Sequence, residues 1–441
     1  MKKYNHYFFW AGAALLVLLC IFSFGLYRKI SDDNTITVGF FSDSYWDVQN
    51  GYSYQILDDA IALFEEEHPG VKVEYVSGVM KDDYTEWLSA GLISGDAPDL
   101  FLVLPDDFNN LVQVGALENL ESYESRDENY DSEAFFDSAY AYGKYKNEQY
   151  ALPYECASTL MFVNTTILKE NDIDMPEESW TWDDFYKICE KCTKDTNGDG
   201  IIDQFGSYGY GWQDAFASND VQVFNDQGTK CNLSGEKVEE AVDFLEKLEN
   251  LNQEAVSSEK DFDQGNVVFQ PMSFSQFKAY KPYPLSIKKY SGFEWGCLPM
   301  PAGSSGSNIS SLDTLLLGMN AKSDHKELAW EFMKTLTCNE EIQNEIFDYS
   351  DGLSVLKEVT QNNRTLKELI GGENLNINML SNAIEKAVVT PHFRNYSEAV
   401  NMVDKAVREI LDSDLNIHAN LLIHNRDLNQ QISEMSSNAS S

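Results

Sequence analysis

Residues 150–199 read YALPYECASTLMFVNTTILKENDIDMPEESWTWDDFYKICEKCTKDTNGD, and this stretch decides how the chain is organised. The apolar run from Thr159 to Val163 predicts a buried strand, and Asn164-Thr165 predicts the turn that ends it. Pro176 and the Trp-Thr-Trp run at 180–182 then begin an amphipathic helix. An acidic loop with glycines follows the helix. The stretch therefore predicts a strand, a helix and a polar loop in succession.

The chain before this stretch alternates strand and helix patterns. Residues 35–41, 71–76 and 97–104 have the composition of strands, whereas 55–68 and 84–94 have the apolar spacing of helices. A β-α-β-α-β order predicts an α/β fold with helices on both faces of a sheet. Ligands of such sheets bind beyond the carboxyl ends of the strands. The polar and aromatic residues predicted at those ends are Asp43, Tyr45, Trp46, Asp106 and Asp107.

Residues of the central stretch resemble a motif of extracellular solute-binding protein family 1, the maltose-binding type that serves ABC importers. The matching residues are Pro153, Tyr154, Phe162, Asn164, Trp180, Thr181, Trp182, Asp183, Asp184 and Phe185. Segments 265–274, 295–301 and 326–336 are similar to the family's second-lobe strand, return strand and Ala-Trp-Glu-Phe helix, in the same order. The resemblance therefore extends over residues 35–430.

The resemblance implies a two-lobed α/β fold of the periplasmic-binding-protein class II, with discontinuous lobes and a hinge. It divides the chain as follows: 1–30, signal peptide or membrane anchor; 35–150 and 290–340, lobe 1; 151–289 and 341–430, lobe 2; 431–441, polar tail. Chain crossings near Glu155 and at Met272 to Lys281 would form the hinge.

The implied function is capture of a carbohydrate, an oligosaccharide, by a monomer on the extracellular face of a bacterial membrane, for delivery to the permease subunits of an ABC importer. Asp106 takes the place of a family aspartate that binds sugar hydroxyls. Val103 and Asp107 stand where maltose-type members have tryptophan and arginine, which argues against maltose itself. The candidate ligand-binding residues are Asp43, Tyr45, Trp46, Asp106, Glu155, Trp212 and Phe274, followed by Asp313 and Arg394.

Composition agrees with a neutral ligand. Acidic residues outnumber basic ones 72 to 32, and the net charge of -40 excludes nucleic acid, anionic membrane surfaces and polyanionic ligands. Aromatic residues make up 13% of the chain, and their flat faces suit sugar rings.

Catalytic signatures are missing from the sequence. It contains no HExxH, GxSxG, GxGxxG or phosphate-binding loop, and its 6 histidines are scattered, so we expect no enzyme activity. Two alternatives stay open. One is a membrane-tethered ligand sensor for a two-component system, and the other is an acid-residue glycosidase, because carboxylate pairs are abundant.

The N-terminus predicts export. Lys2 and Lys3 precede an apolar run over residues 7–27, which is long enough to cross a bilayer with its lysine end inside. A retained anchor, a cleaved signal peptide and lipidation at Cys20 all remain open.

The acidic loop after the central helix predicts a structural Ca²⁺ ion. It follows D-x-N-x-D-G-x-x-D, and calcium prefers such hard oxygen ligands. The candidate ligands are Asp195, Asn197, Asp199, the Ile201 carbonyl and Asp203. Gly206 occupies the twelfth position in place of a glutamate, so the EF-hand pattern is incomplete and a plain turn is the alternative.

The cysteines predict no disulfide framework. Cys189 and Cys192 lie in the same helix without a second Cys or His pair nearby, which favours a packed or disulfide-linked pair over a zinc site.

Overall fold

A computed structural model describes residues 34–46, 52, 54–253, 255–280, 293–370, 377–391, 393, 395–413 and 415–438. The predicted N-terminal segment, residues 1–30, and the candidate Arg394 lie outside this part of the chain. Within it, none of the helices combines the length and the apolar character that crossing a membrane requires.

The elements alternate as the sequence predicts. The strands are β1 Thr35–Gly39, β2 Lys72–Tyr75, β3 Leu100–Val103, β4 Lys144–Tyr145, β5 Glu148–Gln149, β6 Ala151–Asn164, β7 Phe205–Ser207, β8 Val267–Ser273, β9 Trp295–Leu298, β10 Ser311–Met319, β11 Leu353–Ser354 and β12 Val388–Val389. The α-helices are α1 Gln55–Glu67, α2 Lys81–Ser94, α3 Pro105–Gln113, α4 Glu121–Arg126, α5 Asp137–Ala141, α6 Thr165–Glu170, α7 Trp182–Cys192, α8 Trp212–Ser218, α9 Glu236–Leu251, α10 Glu259–Asp263, α11 Phe274–Tyr280, α12 Lys326–Thr337, α13 Glu340–Tyr349, α14 Lys357–Asn362, α15 Arg364–Ile370, α16 Ile377–Glu385, α17 Tyr396–Leu411 and α18 Ile417–Asn438.

Most of the described strands form one long sheet, whose main path runs in the order β2-β1-β3-β10-β6-β8-β7. β9 and β11 also pair with β6, β12 pairs with β10, and β4 and β5 form a separate hairpin. β1 is parallel to β2 and β3, whereas β10 runs antiparallel to β3 and β6. The carboxyl ends of β1 and β3 therefore lie at the same edge of the sheet, which places the loops that follow them side by side.

β6 connects the two halves of this sheet. Residues Ala151–Ser158 pair with β10, and residues Thr159–Val163 pair with β8. The predicted strand Thr159 to Val163 is thus the second part of a longer crossing strand. Nearly all of β6 is buried, as expected for a strand covered on both faces.

Two hydrophobic cores lie along the sheet. The first contains buried residues of segments 36–160 and 312–387, and it extends past the crossing through Phe162, Phe274 and Phe277. The second contains buried residues of segments 161–300 and 393–432. The buried residues of 342–387 thus pack with the first half, whereas the sequence-based division assigns 341–430 to the second lobe. Residues 431–438 continue α18 instead of forming a separate tail, and Ile432 is buried.

Local signals in the sequence have clear structural counterparts. Thr181 and Asp184 form a capping box at the start of α7, and Gly95 ends α2 in the left-handed conformation at φ 84°. Asn164 caps α6 by accepting from the backbone N–H groups of Thr166 (3.1 Å) and Ile167 (3.2 Å). The predicted turn at Asn164-Thr165 is therefore the start of a short helix.

Cys189 and Cys192 are not joined by a disulfide bond. Cys189 and Cys192 are both buried in the second core, which confirms a packed pair. Burial raises the pKa of both thiols, so they are poor nucleophiles at neutral pH.

Candidate functional site

The loop after β1 is fixed against the start of α2. Asp43 Oδ1 accepts from the backbone N–H of Lys81 at 2.6 Å, and the Tyr45 carbonyl accepts from Lys81 Nζ at 3.2 Å. The same ammonium lies 5.9 Å from the centre of the Tyr45 ring, and that ring contacts Trp46 edge-on with centroids 4.7 Å apart. These three predicted site residues therefore lie together at the carboxyl end of β1.

Asp106 and Asp107 begin α3, directly after β3, and they point to different partners. Asp106 Oδ2 accepts from Ser397 Oγ at 2.8 Å, whereas Asp107 Oδ2 accepts from Thr85 Oγ1 of α2 at 2.6 Å. Ser397 belongs to α17, whose buried residues are part of the second core. Asp106 therefore bridges the two halves, and Asp107 stays within the first.

A second contact joins the halves beside Asp106. Asn109 Nδ2 of α3 donates to the carbonyl of Asp226 at 3.1 Å. Tyr396, next to Ser397, packs edge-on against Phe393 (5.3 Å) and Phe224 (6.0 Å) of the second core. The walls of the cleft thus consist of the loops after β1 and β3 on one side and the start of α17 on the other.

Asp313 of β10 lies between these walls. It pairs with Ala157 of the crossing strand β6, and its side chain is exposed. Burial by the surrounding protein nevertheless raises its pKa to about 6. The carboxyl group is thus open to solvent on one side and close to protein atoms on the other.

A tyrosine from each half lies near enough to this carboxyl for its charge to act on the tyrosine hydroxyl. Burial raises the pKa of Tyr45 and of Tyr396, and in both cases the nearby charge of Asp313 and then that of Asp106 raise it further. Tyr142, also buried, experiences the Asp313 charge as well and donates to the carbonyl of Leu312. We define the cleft site as Tyr45, Asp106, Asp313 and Tyr396.

Glu155 helps to line a cavity of about 60 Å³, together with Asp43, Tyr45 and Ser350. Burial raises its pKa, although the hydrogen bond from Ser350 Oγ favours the ionised form. A Cβ atom at Gly352 would lie 2.6 Å from Glu155 Oε2 and 2.8 Å from Trp46 Nε1, so only glycine fits there. Glu155 is thus a buried residue of the crossing strand that faces this small cavity together with Asp43 and Tyr45.

Two predicted aromatic contacts are buried. Trp212 begins α8 and is 6% exposed, with its ring edge-on to Phe216 at 5.5 Å. Phe274 is fully buried and packs against Phe277 at 5.4 Å. Neither ring presents an open face to a ligand in this conformation. Each residue begins a helix, and its side chain points into a hydrophobic core.

Tyr396 is a cleft residue that the sequence-based candidates miss. The available signal is the break at Pro391, after which an aromatic residue follows a turn at Asn395 with φ 63° and begins α17. A polar aromatic side chain at a helix start resembles the loop residues predicted at the other wall, but only the fold shows that the two walls face each other.

The acidic loop Asp195 to Asp203 closes on itself. Asp195 accepts from the backbone N–H groups of Asn197 (3.1 Å), Gly198 (2.6 Å) and Gly200 (2.7 Å), which lowers its pKa, with the Gly200 bond contributing most. Asp203 accepts from the Thr196 N–H at 2.8 Å and from Asn197 Nδ2 at 2.9 Å. Across the described residues, no three His, Cys, Asp or Glu side chains converge as metal ligands would. The residue types suit calcium, but the carboxylates do not converge here.

Comparisons with known proteins agree with the fold. A family model described as "Bacterial extracellular solute-binding protein" matches residues 47–342. A maltotriose-binding protein from Pyrococcus abyssi is 23% identical over 290 residues, which is 63% of this chain. The match covers 59% of the length of that curated relative.

Solved structures with the same architecture cover nearly the whole chain. The sugar-binding protein MalE from Xanthomonas citri superimposes with a TM-score of 0.74 at 15% identity, over 92% of this chain and 99% of that one. A substrate-binding protein from Listeria monocytogenes in complex with cycloalternan gives a TM-score of 0.65 at 20% identity, over 90% and 98%. These likenesses confirm the predicted two-lobed α/β fold.

Proposed function

The chain belongs to the family of bacterial extracellular solute-binding proteins, and on that basis we propose that it captures a carbohydrate in the cleft between its two halves. The observation that supports this proposal is the contact between the halves at Asp106, which accepts from Ser397 Oγ of α17 at 2.8 Å. A tyrosine from each half, Tyr45 and Tyr396, lies near enough for the Asp106 charge to raise the pKa of its hydroxyl. Carboxylates accept strong hydrogen bonds from sugar hydroxyls, and aromatic rings pack on the apolar faces of sugars.

Capture would proceed by closure of the halves about the crossing strand β6. The hydrogen bonds from Ser397 to Asp106 and from Asn109 to the Asp226 carbonyl join the walls. A ligand that contacts both walls binds the closed form better than the open form and so increases its population. We propose that the closed monomer then docks on the membrane subunits of an ABC importer.

The site is proposed to bind its ligand without changing it. Asp106 and Asp313 would act as hydrogen-bond acceptors, and the protein would release the same saccharide that it captured. Incubation with an oligosaccharide mixture, followed by chromatography, should return every component intact, and a new product would reject this part of the proposal in favour of glycosidase activity.

We further propose that the N-terminal segment keeps the binding halves at the extracellular face of the cell membrane, as an anchor or as an export signal. A fractionation experiment with an antibody against the C-terminal half separates these cases. Protein in the membrane fraction at full length supports an anchor, and shortened protein in the medium supports cleavage.

The proposed function predicts that Asp106→Ala lowers saccharide affinity about tenfold or more, because the carboxylate is a charged acceptor in a partly enclosed site. Thermal-shift screening of mono- and oligosaccharides identifies the ligand, and calorimetry then measures the affinity of each variant. Ser397→Ala is the matched control, since it removes the bond between the walls but keeps the carboxylate. Wild-type affinity in Asp106→Ala would reject Asp106 as a ligand contact, and absence of any saccharide response would reject the proposed function.

Calcium remains a proposal for the loop Asp195 to Asp203. Binding would require Asp203 to exchange its bonds to Thr196 and Asn197 for the ion. With an affinity typical of extracellular sites, millimolar CaCl₂ should stabilise the protein by about 1 kcal/mol. The measurement is the melting temperature in CaCl₂, MgCl₂ and EDTA. The double substitution Asp195→Asn and Asp203→Asn should abolish the response to calcium, and a wild-type protein that melts at one temperature in all three would show that the loop is a plain turn.

A further inference from the structure

We infer that Asn109 is a positioning residue for ligand capture, which acts through the backbone carbonyl of Asp226. The hydrogen bond between Asn109 Nδ2 and this carbonyl, 3.1 Å long, is a latch that stabilises the closed arrangement of the two halves. The latch sets the affinity for every saccharide without contacting any of them. This inference rests on the proposed function and adds a residue that controls closure to those that recognise the ligand.

The donor of the latch is held by the first half. Asn109 lies on α3, and the neighbouring residues Phe108, Leu111 and Val112 are buried in the first core. Asn109 is itself only 6% exposed. A buried amide nitrogen has lost its hydrogen bonds to water and needs a protein acceptor. The acceptor that it meets, the carbonyl of Asp226, belongs to the other half.

The acceptor lies in a tight turn of the second half, residues 225–230. The side-chain oxygen of Asn225 accepts from the Thr229 backbone N–H at 2.9 Å, and the Asn225 carbonyl accepts from the Gly228 N–H at 2.9 Å. Gly228 has φ 62°, and a Cβ atom there would lie 2.0 Å from the ring of Phe393, which is buried in the second core. The turn is therefore fixed in shape and packed on the second core.

The two ends of the latch are thus attached to different cores. A hydrogen bond of this kind is lost once its two atoms move about 1 Å further apart, so opening of the halves about β6 breaks it. Its free energy therefore contributes to the closed form alone. It shifts the equilibrium between the open and closed forms toward the closed one.

The other bond between the walls differs in this respect. Ser397 donates to Asp106, which is itself a proposed ligand contact. A saccharide hydroxyl that donates to Asp106 competes with Ser397 for the same carboxylate, so this bond can be exchanged when the ligand binds. The latch uses an amide and a backbone carbonyl that are not part of the cleft site, and it is retained in the closed complex.

Removal of the donor is expected to weaken the binding of all saccharides by one common factor. The apparent affinity of a ligand for the closed form falls with the fraction of the protein in that form, and the latch changes this fraction but not the contacts with the sugar. For one hydrogen bond, Asn109→Ala should weaken binding about two- to tenfold. Dissociation should become faster by a similar factor, because the halves open before the ligand leaves.

The experiment measures Asn109→Ala and Asn109→Leu by calorimetry with each saccharide that thermal-shift screening identifies. Leucine is similar in size to asparagine and has no donor, so it provides the second test if Asn109→Ala does not fold. Spin labels at exposed positions of the two halves, Asp82→Cys in α2 and Glu236→Cys in α9, report the distance between the halves by pulsed electron paramagnetic resonance. Without ligand, both variants should contain fewer closed molecules than the protein with Asn109.

Two matched controls separate the latch from other effects. Asn110→Ala removes an asparagine side chain from the neighbouring, exposed position of α3. Asp226→Ala removes an exposed side chain but keeps the backbone carbonyl that accepts the bond. Both controls should keep the affinity within about twofold of wild type, because surface substitutions of this kind have small effects.

The outcomes separate the latch from the proposed function. Wild-type affinity in both Asn109 variants would overturn the latch and leave carbohydrate capture standing. An affinity loss for some saccharides and not others would also overturn it, because Asn109 would then be a ligand contact, and so would an equal loss in either control. If no saccharide binds, the proposed function fails, and the label distances decide alone. Fewer closed molecules in both variants support the latch, and distances equal to those of wild type overturn it.

Discussion

Replacing Lys278 by methionine is expected to lower the free energy of unfolding by about 3–5 kcal/mol, because it breaks a buried network of charges. Lys278 Nζ donates to the carbonyl of Phe347 at 3.2 Å and to that of Ser350. Its charge also faces the half-buried Asp351 and the buried Glu155, which oppose the lowering of its pKa by burial. Methionine keeps the apolar stem but leaves both carbonyls and both acids without the cation. Urea denaturation measures the loss as a lower midpoint.

The matched control is Lys191→Met, which removes a lysine from an exposed position of α7. It should change the free energy of unfolding by about 0.5 kcal/mol or less. Combining Lys278→Met with Glu155→Gln tests the network directly, since the double variant should lose less than the sum of the single ones. A wild-type midpoint in Lys278→Met, or strict additivity in the double variant, would show that Lys278 does not stabilise Glu155.

This network also bears on closure. Lys278 lies on α11, directly after β8, and Glu155 lies on β6, so the two residues join the segments that were predicted as hinges. Ser350, from the connection between α13 and β11, donates to Glu155 and completes the link. The structure therefore places Glu155 in the hinge and not at the mouth of the cleft, although its position in the sequence equally suits a ligand contact.

The elements themselves could be predicted because their signals are local. The capping residues Thr181 and Asp184 and the glycine at 95 act within one turn of their helices, so the sequence around them contains all the necessary information. The same holds for the loops after β1 and β3, whose place at one sheet edge follows from the β-α-β order alone.

The members of the cleft site could be predicted only in part because exposure depends on distant contacts. Trp212 and Phe274 are aromatic residues of the kind that bind sugar rings. Both are buried instead, because Trp212 packs against Phe216 and Phe274 packs against Phe277. The break at Pro391 indicates only that Tyr396 lies near a helix start. Tyr396 becomes a cleft residue because α17 packs on the second half while Asp106 reaches Ser397 from the first. Whether such a side chain is exposed in the cleft therefore depends on contacts between elements that are far apart in the chain.

The second large effect concerns pH, and it arises at Asp214 in the first turn of α8. Burial raises the pKa of this carboxyl from its ordinary value of 3.8 to about 7, although the Gly211 backbone N–H, at 3.1 Å, favours the ionised form. Below about pH 4 the acid is protonated in the folded and unfolded states alike. As the pH rises toward 7, the unfolded chain releases the proton first, so the folded state loses stability, and above pH 7 the loss is complete.

Asp214→Asn is therefore expected to stabilise the protein at pH 8 by about 2–4 kcal/mol and to leave its stability at pH 4 nearly unchanged. Asparagine retains an oxygen that can accept from Gly211 and cannot ionise. Asp183→Asn is the matched control, since that carboxyl lies in the first turn of α7 but is exposed. Asp183→Asn should lower the free energy of unfolding at pH 8 by about 0.3–1 kcal/mol, because an exposed ionised acid at a helix start is favourable. The effect is opposite in sign to that of Asp214→Asn. The measurement is the free energy of unfolding of all three proteins from pH 4 to 8, and equal pH profiles for wild type and Asp214→Asn would show that Asp214 ionises normally in the folded protein.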